Sequence, residues 1–285
     1  DLHRRRHSFP TRRSSDLHFM SFRNGLDELR GSTLSRVSLG AIMNKIKHLL
    51  IDLDGTLVNF RELRVQLEFT LRFIYWWRAW ARPWRTFKGL WRLNSAVSSD
   101  ERKSSNYLKG IQAFALGSGL PEGQVSALMD ECLNEIFPRL EKYFFPIPGA
   151  QEFVQWAGEH YPLTLATNPV WPPELVTMRL QWGGISMAKF GTMTHAKKMT
   201  ACKPSLDYYS ELLSQENLDP ESCALIGNDI QSDGAAIGLG IRVFILSDSP
   251  QVKPLTHPKI RDTQGLLWTG NYKAIQSLLE TESHL

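Results

Sequence analysis

Asp52 and Asp54 follow the apolar run in KHLLIDLDGTLVNF, Lys47–Phe60, with Gly55 one place beyond. Further along lie Thr167 and Asn168 in LATN, Lys203 in CKP, and Asn228, Asp229 and Asp233 in GNDIQSD. Carboxylates, a hydroxyl and a lysine could act together if the fold brought them to one place. Three converging carboxylates repel one another strongly unless a cation lies among them. Oxygen donors favour a hard ion, Mg²⁺ above all, and the lack of His or Cys in the set argues against zinc. A lysine and a threonine hydroxyl suit the remaining oxygens of a bound phosphate. A carboxylate beside such an ion can attack phosphorus and form an aspartyl-phosphate. A second carboxylate can protonate the leaving oxygen and then activate water. The structural reading of the first stretch is plainer: a buried strand that runs into an Asp-Gly turn.

The elements that would position these residues alternate along the chain. Residues 46–51, IKHLLI, read as a short buried strand. Gln151–His160 reads as a helix and Pro162–Ala166 as a second strand. Pro172 opens a helix to Trp182, stopped by Gly183-Gly184, and Pro204 is placed at the start of another, SLDYYSELLSQ. Ala224–Gly227 is a third strand, DGAAIGLG a helix, and Arg242–Leu246 a fourth strand. Strands alternating with helices of about 10–15 residues predict an α/β, Rossmann-like core with a parallel sheet. In such sheets ligands gather at the carboxyl ends of the strands. The polar residues above follow strands or open helices, so they are expected at one edge.

The 285 residues, 42% hydrophobic and 22% charged, describe an ordinary globular chain. No uncharged apolar run approaches the ~18 residues of a membrane span. Cys132, Cys202 and Cys223 have no CxxC spacing, which points to a reduced, cytoplasmic setting and to neither a disulfide framework nor a zinc site. The formal charge of +4 is concentrated at the front, because residues 1–17 carry a net +3. The rest is no argument for a nucleic-acid partner. His7–Leu17, HSFPTRRSSDL, resembles one reading frame of a sequencing-adapter oligonucleotide. Residues 1–42 are therefore expected to be a non-native or disordered leader, with the natural start at Met20 or Met43.

DLDGT at Asp52–Thr56, LATN at Leu165–Asn168, CKP at Cys202–Pro204 and GNDIQSD at Gly227–Asp233 resemble, in order, the four motifs of the haloacid dehalogenase (HAD) superfamily. The resemblance implies a core of residues 43–60 and 146–285 and an inserted helical cap, 61–145, that selects the substrate. It implies Asp52 as nucleophile and Asp54 as general acid/base. Thr167, Asn168 and Lys203 would bind the phosphoryl group. Asp52, Asp54 through its backbone carbonyl, Asp229 and Asp233 would hold Mg²⁺, with Asp233 in contact with the ion or with its waters. Asp54 separates phosphatases and phosphomutases from dehalogenases, since halide leaves without a proton. The resemblance thus implies hydrolysis of a small-molecule phosphate ester, phosphoglycolate-like. A phosphomutase is one alternative. The other is a membrane-surface or partner-binding module with a vestigial site.

The cap segment holds a stripe of aromatics, Phe69, Phe73, Trp77, Trp80, Trp84, Phe87 and Trp91, with cations at Arg78, Arg82, Arg85, Lys88 and Arg92 beside it. Pro83 divides it into two helices. Three readings stay open: a cap core with a solvated basic face, a site for a large anionic or aromatic substrate, and an amphipathic face for an anionic membrane. His195 matches no motif position, Lys197 and Lys198 read as a solvated loop, and Cys202, beside Lys203, reads as a small buried thiol. Tyr208 and Tyr209 are expected to pack on the sheet, and Trp171 either packs or lines the cap boundary.

Overall fold

The apolar run before Asp52 is strand β1, His48–Ile51, with three of its four side chains buried. It lies at the centre of a computed structural model that describes residues 46–99, 101–261 and 265–280. The expected leader and both candidate start methionines lie outside the described residues. The other sheet strands are β4 (Leu163–Leu165), β5 (Thr192–Met193), β6 (Cys223–Gly227), β7 (Arg242–Leu246), β8 (Lys253–Pro254) and β9 (Leu267–Gly270). They form one seven-stranded sheet in the order β5-β4-β1-β6-β7-β9-β8, parallel throughout except for the antiparallel β8–β9 pair. Central strands covered on both faces carry unbroken apolar runs. CALIG of β6 is such a run, and all five of its residues are buried.

Helices α5 (Ala150–His160), α6 (Pro173–Trp182), α7 (Leu206–Glu216) and α8 (Tyr272–Glu280) accompany the sheet. Tyr208, Tyr209 and Leu212 of α7 enter one core cluster with Leu50, Leu225 and Val243. Helix α7 starts after Pro204, at Leu206, because the Ser205 hydroxyl accepts from the Asp207 N–H at 3.3 Å and caps it. Pro204 thus sits in the turn before the helix, one step earlier than the sequence suggests. The segment expected as a helix after β6 is a short 3₁₀ stretch, Gly234–Leu239. Two of its six residues are glycine, which weakens an α-helix.

Strands β2 (Val58–Phe60) and β3 (Phe144–Pro146) pair antiparallel and form a two-stranded ribbon. Between them the chain is helical: α1 (Glu62–Trp77), α2 (Pro83–Val97), α3 (Asn106–Ser118), α4 (Glu122–Ile136) and a 3₁₀ stretch, Phe137–Tyr143. The break at Pro83 falls where the ring fits the first turn of α2. Helices α2 and α3 approach closely, since a Cβ on Gly117 would stand 2.5 Å from the Gly89 Cα. Phe73, Trp77, Phe114, Met129 and Phe137 fill this layer, and Leu175 of α6 belongs to the same cluster. Phe137 stacks on Trp182 at 5.5 Å and meets Trp171 at 5.1 Å. Among the described residues no helix is long and apolar enough to cross a membrane.

Candidate active site

The parallel registers Ile51↔Leu165 and Ile51↔Ile226 align the carboxyl ends of β1, β4 and β6. Asp52 leaves β1 there, buried, with its N–H donating to the Ile226 carbonyl at 2.9 Å. Lys203 Nζ donates to Asp52 Oδ1 at 2.8 Å, and the Thr56 hydroxyl donates to Asp52 Oδ2 at 3.1 Å. The turn that follows needs a glycine. Gly55 has φ +82°, and a Cβ there would lie 2.3 Å from Asn228 Nδ2. The Tyr272 hydroxyl of α8 donates to the Thr56 carbonyl and ties this loop to the C-terminal helix.

Lys203 bridges two carboxylates, because the same Nζ reaches Asp233 Oδ1 at 2.6 Å. Asp233 Oδ2 accepts the N–H groups of Asn228 and Asp229 at 3.0 and 3.1 Å. Gly227 makes room for this, since a Cβ there would fall 2.3 Å from the Asp233 carboxylate. The Thr167 backbone is fixed by the Thr194 and Tyr208 hydroxyls, which donate to its carbonyl at 2.7 and 3.0 Å. Its own buried hydroxyl has no partner among the described residues. Asn168 is exposed and accepts the Lys203 N–H through Oδ1 at 3.2 Å.

Asp54 turns to a different partner. Arg179 of α6, buried, donates through Nη1 to Asp54 Oδ2, while Asp54 Oδ1 is buried with no partner among the described residues. Sequence reasoning singles out no role for Arg179. The available signal is a lone cation within the stripe Leu175, Arg179, Trp182, spaced four and three. Asp229 is exposed, and its Oδ1 accepts the Gln231 N–H at 2.7 Å. The fold therefore joins Asp52, Lys203 and Asp233 in direct contact and sets Thr167 and Asn168 at the neighbouring strand end. Asp54 stands with Arg179, and Asp229 lies exposed in the loop after β6.

Burial pushes the Asp52 carboxyl up to about 7; Lys203 works against this, and Asp233 and Asp54 add to it. Burial alone would lower Lys203, but Asp233 and Asp52 outweigh it and hold the ammonium well above its ordinary value. Two buried carboxylates and one cation leave this edge short of positive charge. Among the described residues no three His, Cys, Asp or Glu side chains form a ready-made metal site. The donor chemistry nonetheless fits a hard divalent cation: every donor is oxygen, and Asp54 Oδ1 is buried without a partner.

Lys197 and Lys198 depart from the solvated loop expected of them. Lys197 pairs with Asp130 of α4 at 2.8 Å, and Lys198 pairs with Glu216 at 2.6 Å, so neither lies in a merely solvated loop. Burial pushes the Cys202 thiol up to about 11, and all three cysteines are free. Trp171 packs against Phe69 at 5.2 Å and lines a cavity of about 220 Å³ with Phe69, Phe73, Leu93, Ile111 and Met129. A second cavity of about 390 Å³ is lined by Asn168, Lys203 and Arg102, and Ser98 lines both.

This sheet and its ribbon-anchored helical insert share the fold of a solved 2-haloacid dehalogenase. A 2-haloacid dehalogenase from Pseudomonas syringae superposes with a TM-score of 0.53 at 17% identity, covering 83% of this chain and 99% of that one. A predicted phosphoglycolate phosphatase from Haemophilus somnus gives a TM-score of 0.47 at 17% identity, covering 82% and 98%. Comparison with protein-family models and with curated proteins gives no match. At such identities the likeness carries the fold, and the chemistry has to come from the residues.

Proposed function

We propose that the protein is a Mg²⁺-dependent phosphate monoester hydrolase that works through an aspartyl-phosphate on Asp52. The supporting observation is the pair of unpartnered buried polar atoms, Thr167 Oγ1 and Asp54 Oδ1, on the loops beside Asp52. One is a spare donor for a phosphoryl oxygen, and the other is a spare carboxylate oxygen for the transferred proton. Asp52, Asp54 and Asp229 would hold the ion, which would supply charge for the phosphoryl oxygens. Asp233, in contact with the ion or with its waters, would also orient Lys203 and the Asn228–Asp229 backbone.

An Asp52 oxygen attacks phosphorus while the ester P–O bond breaks, and Asp54 delivers a proton to the departing alkoxide. Water then attacks the phosphoenzyme and gives its proton to Asp54. The bond from phosphorus to Asp52 breaks, and inorganic phosphate leaves. Lys203 and the Thr167 hydroxyl hold the phosphoryl oxygens, with Asn168 beside them. The cavity lined by Asn168 and Lys203 also carries Ser98, Ser99 and Arg102, polar groups suited to a small phosphate ester. The free thiols are consistent with a reducing, cytoplasmic setting.

Hydrolysis of p-nitrophenyl phosphate with Mg²⁺ is the test. The native chain should turn over, EDTA should stop it, and Asp52→Asn should abolish it while circular dichroism stays unchanged. Retained hydrolysis in Asp52→Asn would overturn the mechanism. Chloride release from 2-chloropropionate in place of phosphate release would assign a dehalogenase instead, and phosphoryl transfer between sugar phosphates a mutase.

A further inference from the structure

The aromatic stripe of the cap divides in two. Phe73 and Trp77 are buried in the helical layer, so the first part is cap core. The remainder faces water: Trp84 is 58% exposed, Phe87 56% and Trp91 64%. Helix α2 is therefore apolar on two sides. Leu90 and Val97 are buried, whereas Trp84, Phe87 and Trp91, spaced three and four, make an outward ridge. Arg85, Lys88 and Arg92 follow that ridge one position on. On α1, Leu63, Leu67, Leu71 and Tyr75 recur at every fourth position and are all exposed.

Three large aromatics exposed together on one helix face mark an interaction site, and the charge beside them selects the partner. Residues 61–92 carry eight basic and two acidic side chains, and α2 has no acidic residue. Among the described residues Arg82, Arg85 and Lys88 make no ion pair. The Arg78 guanidinium lies 3.4 Å from the Tyr75 ring centroid, and that of Arg85 lies 5.3 Å from the Trp84 ring centroid. Tryptophan rings beside arginines suit the headgroup boundary of a bilayer, where apolar bodies enter the acyl region and cations meet anionic phosphates. A second copy of this face would set like charge against like charge, with few carboxylates to offset it.

We propose that the outward ridge of α2 docks the protein on an anionic lipid surface. This ridge lies apart from the sheet edge, so docking does not depend on the reaction performed there.

Sedimentation of the full chain with phosphatidylcholine vesicles, with and without phosphatidylglycerol, tests it. Binding should require the anionic lipid and weaken as salt is raised. The double variant Trp84→Ser/Trp91→Ser should lower partitioning about tenfold or more. Arg85→Gln/Lys88→Gln should also lower it and flatten the salt dependence. Unchanged thermal midpoints would show that both variants fold. The proposal is overturned if the full chain stays in the supernatant, or if the double variants partition like the native chain. It is equally overturned if vesicles bind nothing while sedimentation equilibrium shows a dimer that Trp84→Ser/Trp91→Ser dissolves.

Discussion

The carboxyl edge of the sheet and the outward face of the cap handle charge in opposite ways. At the edge the charges are buried and interlocked, with Lys203 between Asp52 and Asp233 and Arg179 against Asp54. On the cap, cations stand beside exposed tryptophans with few carboxylates near them. A buried charge is tolerated only when paired, so each edge residue is fixed by its neighbours. An exposed cation has no such obligation and is free to meet something outside the chain. The edge is built to hold geometry, and the cap face is left available.

The largest effect should come from breaking the interlock. Lys203→Met would leave two buried carboxylates facing each other without their cation. That should cost about 3–5 kcal/mol of stability, read as a lower urea midpoint, and should remove the proposed phosphatase activity. A midpoint close to that of the native chain would mean that the edge is wetter than the hydrogen bonds imply.

A smaller effect separates the edge by pH. The Asp52 carboxyl is raised from 3.8 to about 7, chiefly by burial. Between these values the folded chain holds a proton that the unfolded chain has released. Stability in EDTA should therefore fall as pH rises from about 4 to about 7, with a slope of at most about 1.4 kcal/mol per pH unit. Asp52→Asn should flatten that part of the profile. An unchanged slope in the variant would locate the titration elsewhere.

Much of this edge is legible in the sequence, because each motif is a polar string directly after an apolar run or before a helix. DLDGT, LATN and GNDIQSD announce strand ends through composition alone. Arg179 escapes because its partner lies 125 residues away and its own helix reads as an ordinary stripe. The aromatic stripe of the cap misleads for a different reason. A spacing of three and four says that side chains share a face, but α2 has two apolar faces, and periodicity does not say which one is covered. Pro204 and the 3₁₀ stretch after Asp233 move by a few residues because caps and glycines set the ends of elements. The order and spacing of strands say little about that.

Arg179 also lies where the sheet layer meets the helical insert, and its loss gives the smallest effect of the series. One stripe of α6 carries Leu175, which is buried in the cap cluster, Trp182, which stacks on Phe137, and Arg179 between them. The helix that carries the cap contact thus also orients the proposed acid/base, by engaging Asp54 Oδ2 and leaving Oδ1 free. Arg179→Met keeps most of the apolar stem and removes the donor. It should lower kcat about tenfold, since a misplaced acid/base loses part of its contribution, and leave KM nearly unchanged. Arg179→Lys, which keeps the charge but loses the planar fork, should recover part of the rate. In an Asp54→Asn background the same substitution should change kcat little, because the two residues would act as one unit. If Arg179→Met lowered kcat equally in both backgrounds, Arg179 would be acting through the cap contact and not through Asp54.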